Sequence, residues 1–241
     1  MKILLPTCDK YQFLVENIIF NFSKYWPEHF DVVVLGHSEP KFSLPNKWSF
    51  IQLAEKSSPK DWSNELISFF DNFNDEFFIN FIDDTFLTKR VNHEKICEMI
   101  SLIKNTDKIS KIFLSGSLIG FNQFEDTSYD ASVVKILPSS PYRTSIQTAI
   151  WRTSFFKECL LPNLDPWQFE LQNNHDPNHV ILSFKNNFPL SFCHFCQSYA
   201  YNHKTQPVND LTKGCFDDTL LDREDLEQII CMFLRNSFLL N

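Results

Sequence analysis

The chain has 241 residues, 43% of them apolar, and a formal net charge of −8, which suits one α/β domain with a buried core. Its four glycines, with no GxGxxG or GxxxxGK[ST] motif, argue against a Rossmann dinucleotide domain and a P-loop. Because Lys and Arg are scattered and no apolar run reaches about 18 residues, we expect no nucleic-acid partner and no membrane span.

Strand and helix patterns alternate in the first part of the chain. A polar turn at 6–10 separates the first strand from the first helix, and Asp61 or Ser63 is expected to cap the second helix. The predicted elements of this part are strand 2–5, helix 11–25, strand 31–35, strand 49–53, helix 63–73 and strand 76–82.

The second part of the chain continues the alternation. Asp165 is expected to cap a helix that begins at Pro166, because Asp favours the N-cap and Pro the first helical position. The order of elements predicts an α/β fold whose central sheet is mixed, mostly parallel and flanked by helices. The remaining predictions are helix 92–103, strand 112–114, loop 122–130, strand 132–136, strand 147–151, helix 154–160 and helix 222–239.

An acidic pair, Asp83 and Asp84, follows the predicted strand 76–82 directly. Loops beyond the carboxyl ends of strands form the ligand sites of open α/β sheets. Adjacent carboxylates repel, so a divalent cation such as Mg²⁺ or Mn²⁺, bridging to a diphosphate, is a natural occupant. The alternative is a helix cap or a solvated acidic turn.

Five segments occur in the order seen in a known family. They are 3–11 (ILLPTCDKY), 61–62 (DW), 81–86 (FIDDTF), 145–151 (SIQTAIW) and 166–170 (PWQFE). Through them the chain, from residue 1 to about 172, resembles the small GT-A glycosyltransferases of bacteria and large viruses, including sugar transferases that decorate capsid proteins of algal viruses.

The resemblance implies a domain organisation. It predicts one GT-A-like domain over 1–241, with a nucleotide-sugar donor half at 1–90 that ends in the acidic motif, an acceptor and catalytic half at 91–220, and a closing helix at 222–239.

The resemblance also implies roles for residues of the donor half. Thr7, Asp9 and Tyr11 are expected to line the nucleotide pocket, and Asp83 and Asp84 to form the metal-binding motif, with Asp84 the first choice for the metal and Asp83 also orienting the donor. Many GT-A enzymes have Asp-x-Asp where this chain has Asp-Asp-Thr, so the division of labour between the two carboxylates is open. A core position for Tyr11 and a loop cap for Asp9 are the structural alternatives.

The resemblance also implies that the helix starting at Asp165-Pro166 lies on the acceptor side. Glu170 on this helix is the candidate general base, because inverting displacement needs a carboxylate to take the proton of the acceptor hydroxyl. Trp167, three residues earlier on the same helical face, would exclude water. Asp165 is the second candidate. The alternatives are an exposed helix glutamate and a pure cap.

Further residues are assigned more loosely. Trp62 is expected either to border the donor pocket or to be buried. Ser145 and Gln147, on alternate positions of a predicted strand, would face one side and bind sugar hydroxyls. Three late basic residues could reach a diphosphate or be solvated: His203, Lys204 and Lys213.

A zinc site is the competing interpretation of two short motifs, the pair Cys193 and Cys196 and the pair His175 and His179. Structural zinc sites join two ligand pairs in a compact knuckle, which the apolar and Pro-broken flanks do not suggest. We therefore expect buried thiols and surface histidines.

Together these features predict a metal-dependent transferase that moves a sugar from a nucleotide-sugar donor, preferably a UDP-sugar, to a hydroxyl of a glycan or glycoprotein. A nucleotidyltransferase is an alternative, although the segment 6–10 is not its usual Gly-rich loop. A catalytically inactive sugar-binding or assembly module on a GT-A-like scaffold is another. Seven cysteines without framework spacing favour the cytoplasm, or the host cytoplasm for a viral protein.

Overall fold

A computed structural model describes residues 1–54, 58–115, 123–172, 176–186 and 188–194. Within these ranges none of the helices is long and apolar enough to cross a bilayer. The helices are α1 (Gln12–Tyr25), α2 (Trp62–Asp71), α3 (His93–Lys104), α4 (Thr153–Cys159) and α5 (Pro166–Leu171), and a 3₁₀ turn (Pro59–Asp61) precedes α2. The strands are β1 (Lys2–Pro6), β2 (Val32–Gly36), β3 (Trp48–Gln52), β4 (Phe77–Asn80), β5 (Thr85–Leu87), β6 (Ile109–Phe113), β7 (Phe124–Asp126), β8 (Val133–Ile136), β9 (Ala149–Arg152), β10 (Val180–Phe184) and β11 (Phe192–His194).

In the described part of the chain, nine strands form one sheet in the order β3-β2-β1-β4-β9-β6-β10-β8-β7. All of them except β9 and β8 point in the same direction, since only these two enter through antiparallel pairs on both sides. The predicted mixed, mostly parallel sheet is therefore confirmed. The strands β3-β2-β1-β4 form a parallel block and therefore end at the same edge of the sheet. The loops after β1, β2 and β4 lie at this edge.

Helices cover both faces of the sheet, so its central strands are buried on both sides. In β1, Ile3 and Leu5 join the core cluster that packs under α1 and α3, whereas Leu4 joins the cluster under α2, α4 and α5. Successive strand side chains point to opposite faces, so one short apolar strand serves both clusters. Each fully buried side chain of this kind stabilises the fold by about 1.5–3 kcal/mol.

Several elements differ from the predictions. Strand β7 lies inside the predicted loop, because an exposed polar edge strand has no apolar pattern to mark it. Strand β4 ends at Asn80 rather than at 82, and β5 forms directly after the acidic pair, where it pairs with β11. Strand β10 was also not predicted. The predicted helix 222–239 lies outside the described residues.

Candidate functional site

A cleft of about 760 Å³ opens at the carboxyl edge of the parallel block, where the loops after β1, β2 and β4 face helices α2 and α5. This is the edge at which open α/β sheets bind ligands. Eight of the predicted site residues line it: Thr7, Asp9, Tyr11, Trp62, Asp83, Asp84, Trp167 and Glu170. Residues distant in sequence thus share one cavity, with the acidic pair contributed by β4 and Glu170 by α5.

The acidic pair lies in the turn that joins β4 to β5, closed by a hydrogen bond from the amide of Thr85 to the carbonyl of Ile82 (3.1 Å). The hydroxyl of Thr7, at the end of β1, donates to Oδ2 of Asp83 (2.7 Å). Burial raises the pKa of Asp83 to about 7; the Thr7 hydrogen bond opposes this rise, and the neighbouring charge of Asp84 adds to it. A positive charge in the cleft would therefore stabilise the ionised pair.

The donor set at the acidic pair is two adjacent carboxylates. Among the described residues, no group of three or more His, Cys, Asp and Glu side chains could hold a metal ion by itself. A hard cation such as Mg²⁺ or Mn²⁺ is commonly held by one or two carboxylates and completes its shell with phosphate oxygens and water. The carboxylate oxygens of Asp83 and Asp84 fit that partial site, which needs a phosphate ligand to be complete.

The loops after β1 and β2 form the adjoining wall of the cleft. Asp9 is exposed and accepts a hydrogen bond from the hydroxyl of Ser38 (2.9 Å). Nε2 of His37 lies 2.9 Å from Oε2 of Glu65 on α2, and both side chains line the cleft. Sequence reasoning missed this pair. The available signal was the position of His37 directly after a buried parallel strand.

The opposite wall is built by α5 and the segment 143–146. Oε1 of Glu170 accepts hydrogen bonds from the hydroxyl of Ser145 (2.7 Å) and from the amide of Ile146 (2.8 Å). The hydroxyl of Thr144 bonds the carbonyls of Phe169 (3.1 Å) and Glu170 (3.2 Å). The carboxylate is therefore held by groups already in place. Among the described residues, the hydrogen bonds of the carboxylate are to Oε1 and none is to Oε2, and Glu170 lines the cleft.

Helix α5 begins as predicted. Oδ1 of Asp165 accepts the amide of Gln168 (2.8 Å), and the Gln168 side chain accepts the amide of Asp165 (3.0 Å), which completes a capping box. Next to Pro166, Trp167 is 67% exposed and lies at the cleft. Trp62 is half-buried at the cleft, with its ring 5.3 Å from that of Phe169.

Three predicted site residues, Ser145, Gln147 and Asp165, are not among the described residues that line the cleft. The carboxylate of Asp165 caps α5, and a catalytic role for it stays a prediction. The prediction that Ser145 and Gln147 alternate on a strand is wrong, because β9 begins only at Ala149. Instead, side-chain and backbone groups of the irregular segment before β9 contact Glu170.

The structure describes only some of the residues that the zinc interpretation involves. Nδ1 of His179 lies 2.7 Å from the hydroxyl of Ser110, and its Nε2 lies 3.0 Å from Oε2 of Glu158, so both ring nitrogens have partners. His175 and Cys196 lie outside the described residues. The same is true of three late basic residues: His203, Lys204 and Lys213.

No family model and no curated protein matches the sequence. Solved structures do. Residues 1–349 of S. aureus TarS, a GT-A-type glycosyltransferase crystallised with UDP, match at a TM-score of 0.53 and 16% identity over 98% of this chain and 71% of that one. The chain has a GT-A-like fold. A second S. aureus TarS structure gives a TM-score of 0.48 at 14% identity, over 98% of this chain and 43% of that one.

A UDP-glucose pyrophosphorylase in complex with UDP-glucose also matches, at a TM-score of 0.46 and 11% identity over 80% of this chain and 92% of that one. The TarS match at a TM-score of 0.53 supports the fold alone. The narrower resemblance to viral capsid-glycan transferases stays a prediction.

Proposed function

We propose that the chain is a metal-dependent glycosyltransferase that moves a sugar from a nucleotide-sugar donor to an acceptor hydroxyl, with inversion at the transferred carbon. The observation that carries the proposal is that one cleft is lined both by the acidic pair Asp83 and Asp84 and by Glu170, which belong to different elements. Neutralising the charge of the departing nucleotide and removing the proton of the acceptor are separate tasks, and they need carboxylates in different parts of the cleft. We call the part with Thr7, Asp9, Tyr11, Asp83 and Asp84 the donor wall, and the part formed by α5 and the segment 143–146 the acceptor wall. A glycan or glycoprotein is the proposed acceptor.

The donor wall supplies charge neutralisation. When bound, Mn²⁺ or Mg²⁺ at Asp84 and Asp83 would offset the charge that develops on the departing nucleoside diphosphate. Thr7 holds Asp83 by its hydroxyl, and Asp9 and Tyr11, which line the same cleft, are the proposed contacts of the nucleoside. UDP-sugars are the first donors to test, since the structurally similar TarS was crystallised with UDP.

The acceptor wall supplies the base. Glu170 would take the proton of the attacking hydroxyl on Oε2, while the Ser145 hydroxyl and the Ile146 amide keep Oε1 in place. Trp167 at the same wall would shield the reacting groups from water.

The test is UDP release from a panel of UDP-sugars with Mn²⁺, in the presence of simple hexosides and with water alone as acceptor. Glu170→Gln should lower turnover about a hundredfold to ten-thousandfold, because a positioned base contributes that much, while Mn²⁺-dependent UDP affinity stays unchanged. Glu98→Gln, an exposed glutamate on α3, is the matched control and should keep wild-type turnover.

Three outcomes contradict the proposal. A turnover loss below about tenfold in folded Glu170→Gln removes the base assignment. Release of pyrophosphate from UTP and a sugar phosphate, without UDP release from UDP-sugars, indicates a nucleotidyltransferase. Nucleotide-sugar binding without any UDP release indicates an inactive binding module.

A further inference from the structure

A lysine lies buried beneath the acceptor wall. Lys111 belongs to β6, is 0% exposed and pairs in register with Trp151 of β9. Its ammonium group lies 3.8 Å from the centre of the Phe113 ring and 3.9 Å from that of Trp151. Removing a cation from water is costly unless hydrogen bonds and charges compensate, so a buried lysine needs a specific reason to be there.

The polar partners of this lysine are two backbone carbonyls of the segment 143–146. Nζ donates to the carbonyl of Arg143 (3.1 Å) and to that of Ser145 (2.6 Å). This segment is neither helix nor strand, so its carbonyls lack the ladder partners that regular structure supplies. Nζ of Lys111 takes the place of those partners and fixes the backbone from below.

The other side of the same segment holds the proposed base. The hydroxyl of Ser145 and the amide of Ile146 donate to Oε1 of Glu170, and the side-chain amide of Asn80 at the end of β4 donates to the carbonyl of Ile146. The segment thus contacts Lys111 through two of its carbonyls and Glu170 through one hydroxyl and one amide. Lys111 itself does not line the cleft in the described structure.

Two opposing effects act on the pKa of Lys111. Burial lowers the pKa of Lys111 well below its usual range, and the carboxylate of Glu170 acts in the opposite direction, favouring the ammonium form. The charge of Glu170 therefore acts on Lys111 electrostatically, in addition to the hydrogen bonds that both residues make with the segment 143–146.

We propose that Lys111 is a positioning residue for the general base, acting through the backbone of 143–146 to hold the Glu170 carboxylate in its reactive orientation. The inference rests on the proposed function. It predicts that Lys111 and Glu170 act as one unit in turnover, whereas a purely structural lysine would affect all activities of the chain alike.

The experiment is a double-mutant cycle of Lys111→Met and Glu170→Gln, since Met has a similar length but no donor. Lys111→Met alone should lower kcat about tenfold or more with unchanged donor KM and unchanged Mn²⁺-dependent UDP affinity. In the Glu170→Gln background the same change should lower kcat by no more than about twofold, because residues of one unit are not additive. Lys135→Met on β8 is the control and should leave kcat unchanged.

Two results overturn the inference: wild-type kcat in folded Lys111→Met, or an equal loss of kcat in both backgrounds. Wild-type kcat in Glu170→Gln instead refutes the proposed base itself, which separates the two failures. If thermal unfolding shows that Lys111→Met does not fold, Lys111→Gln, whose amide is too short to reach both carbonyls, enters the same cycle with the same expected pattern.

Discussion

The two walls of the cleft are built differently. On the donor wall, burial and the adjacent charge of Asp84 raise the pKa of Asp83, so the ionised form of this carboxyl is disfavoured by its surroundings. On the acceptor wall, Glu170 already has its donors, and Lys111 supports the segment that carries them. The comparison shows that the Glu170 carboxylate is held by hydrogen bonds from neighbouring groups, whereas the surroundings of Asp83 oppose its ionisation. Under the proposed function, a bound cation would complete the donor wall.

The largest expected effect tests the donor wall. Asp84→Asn should abolish detectable transfer and remove the Mn²⁺ dependence of UDP binding, because an amide carries no charge and holds a hard cation less strongly. Isothermal titration calorimetry with and without Mn²⁺ measures the second effect. Unchanged Mn²⁺-dependent affinity would exclude Asp84 as a metal ligand.

Asp83→Asn distinguishes the roles of the two carboxylates of the donor wall. We expect a serious loss of transfer with a smaller loss of metal dependence, since this carboxylate is held by Thr7 and would orient the donor. The same calorimetric titration decides the point. Equal losses of metal affinity in the two variants would mean that both carboxylates share the ion.

An intermediate effect is expected at the mouth of the acceptor wall. Trp167 is 67% exposed at the cleft, whereas Leu171, one turn further along α5, is 63% exposed and is not among its lining residues. Trp167→Ala should raise the acceptor KM by about tenfold, the usual cost of removing an aromatic anchor, with little change in donor KM. Leu171→Ala is the matched control, and a similar rise in that variant would assign the effect to packing of the helix.

The smallest expected effect concerns the start of α5. Asp165→Ala should lower the free energy of unfolding by about 1 kcal/mol, since it removes an N-cap, while Asp165→Asn should cost less because Asn caps nearly as well. Turnover should stay near wild type in Asp165→Asn, measured beside thermal unfolding. A turnover loss comparable to that of Glu170→Gln would make Asp165 the base instead.

Local patterns explain which parts of the fold were predictable. Helices α1 and α3 follow from apolar residues at helical spacing, and α5 from the Asp165-Pro166 start, because these signals lie within a few residues of one another. Strand β5 has only three residues and forms through β11, so no local pattern could show it.

The residues of the candidate site show the same difference between local sequence signals and long-range contacts. The acidic pair was found because an apolar run ends in two carboxylates, which is visible in the sequence. Lys111 was missed, because a lysine in a strand is ordinarily exposed and its two carbonyl partners come from a distant irregular segment. The misassigned strand at Ser145 has the same origin, since long-range contacts with Glu170 set the conformation there.

The pairing of β5 with β11 bears on the order in which the molecule matures during synthesis. Thr85, directly after the acidic pair, pairs with His194, and Leu87 pairs with Phe192. A ribosome-bound chain that has emerged only as far as β10 holds the whole parallel block β3-β2-β1-β4 but lacks the partner of β5. Pairings of such sequence separation form late in folding. The acidic turn therefore gains its neighbouring strand only after nearly all the described chain has been made, when every strand of the nine-stranded sheet has already been synthesised.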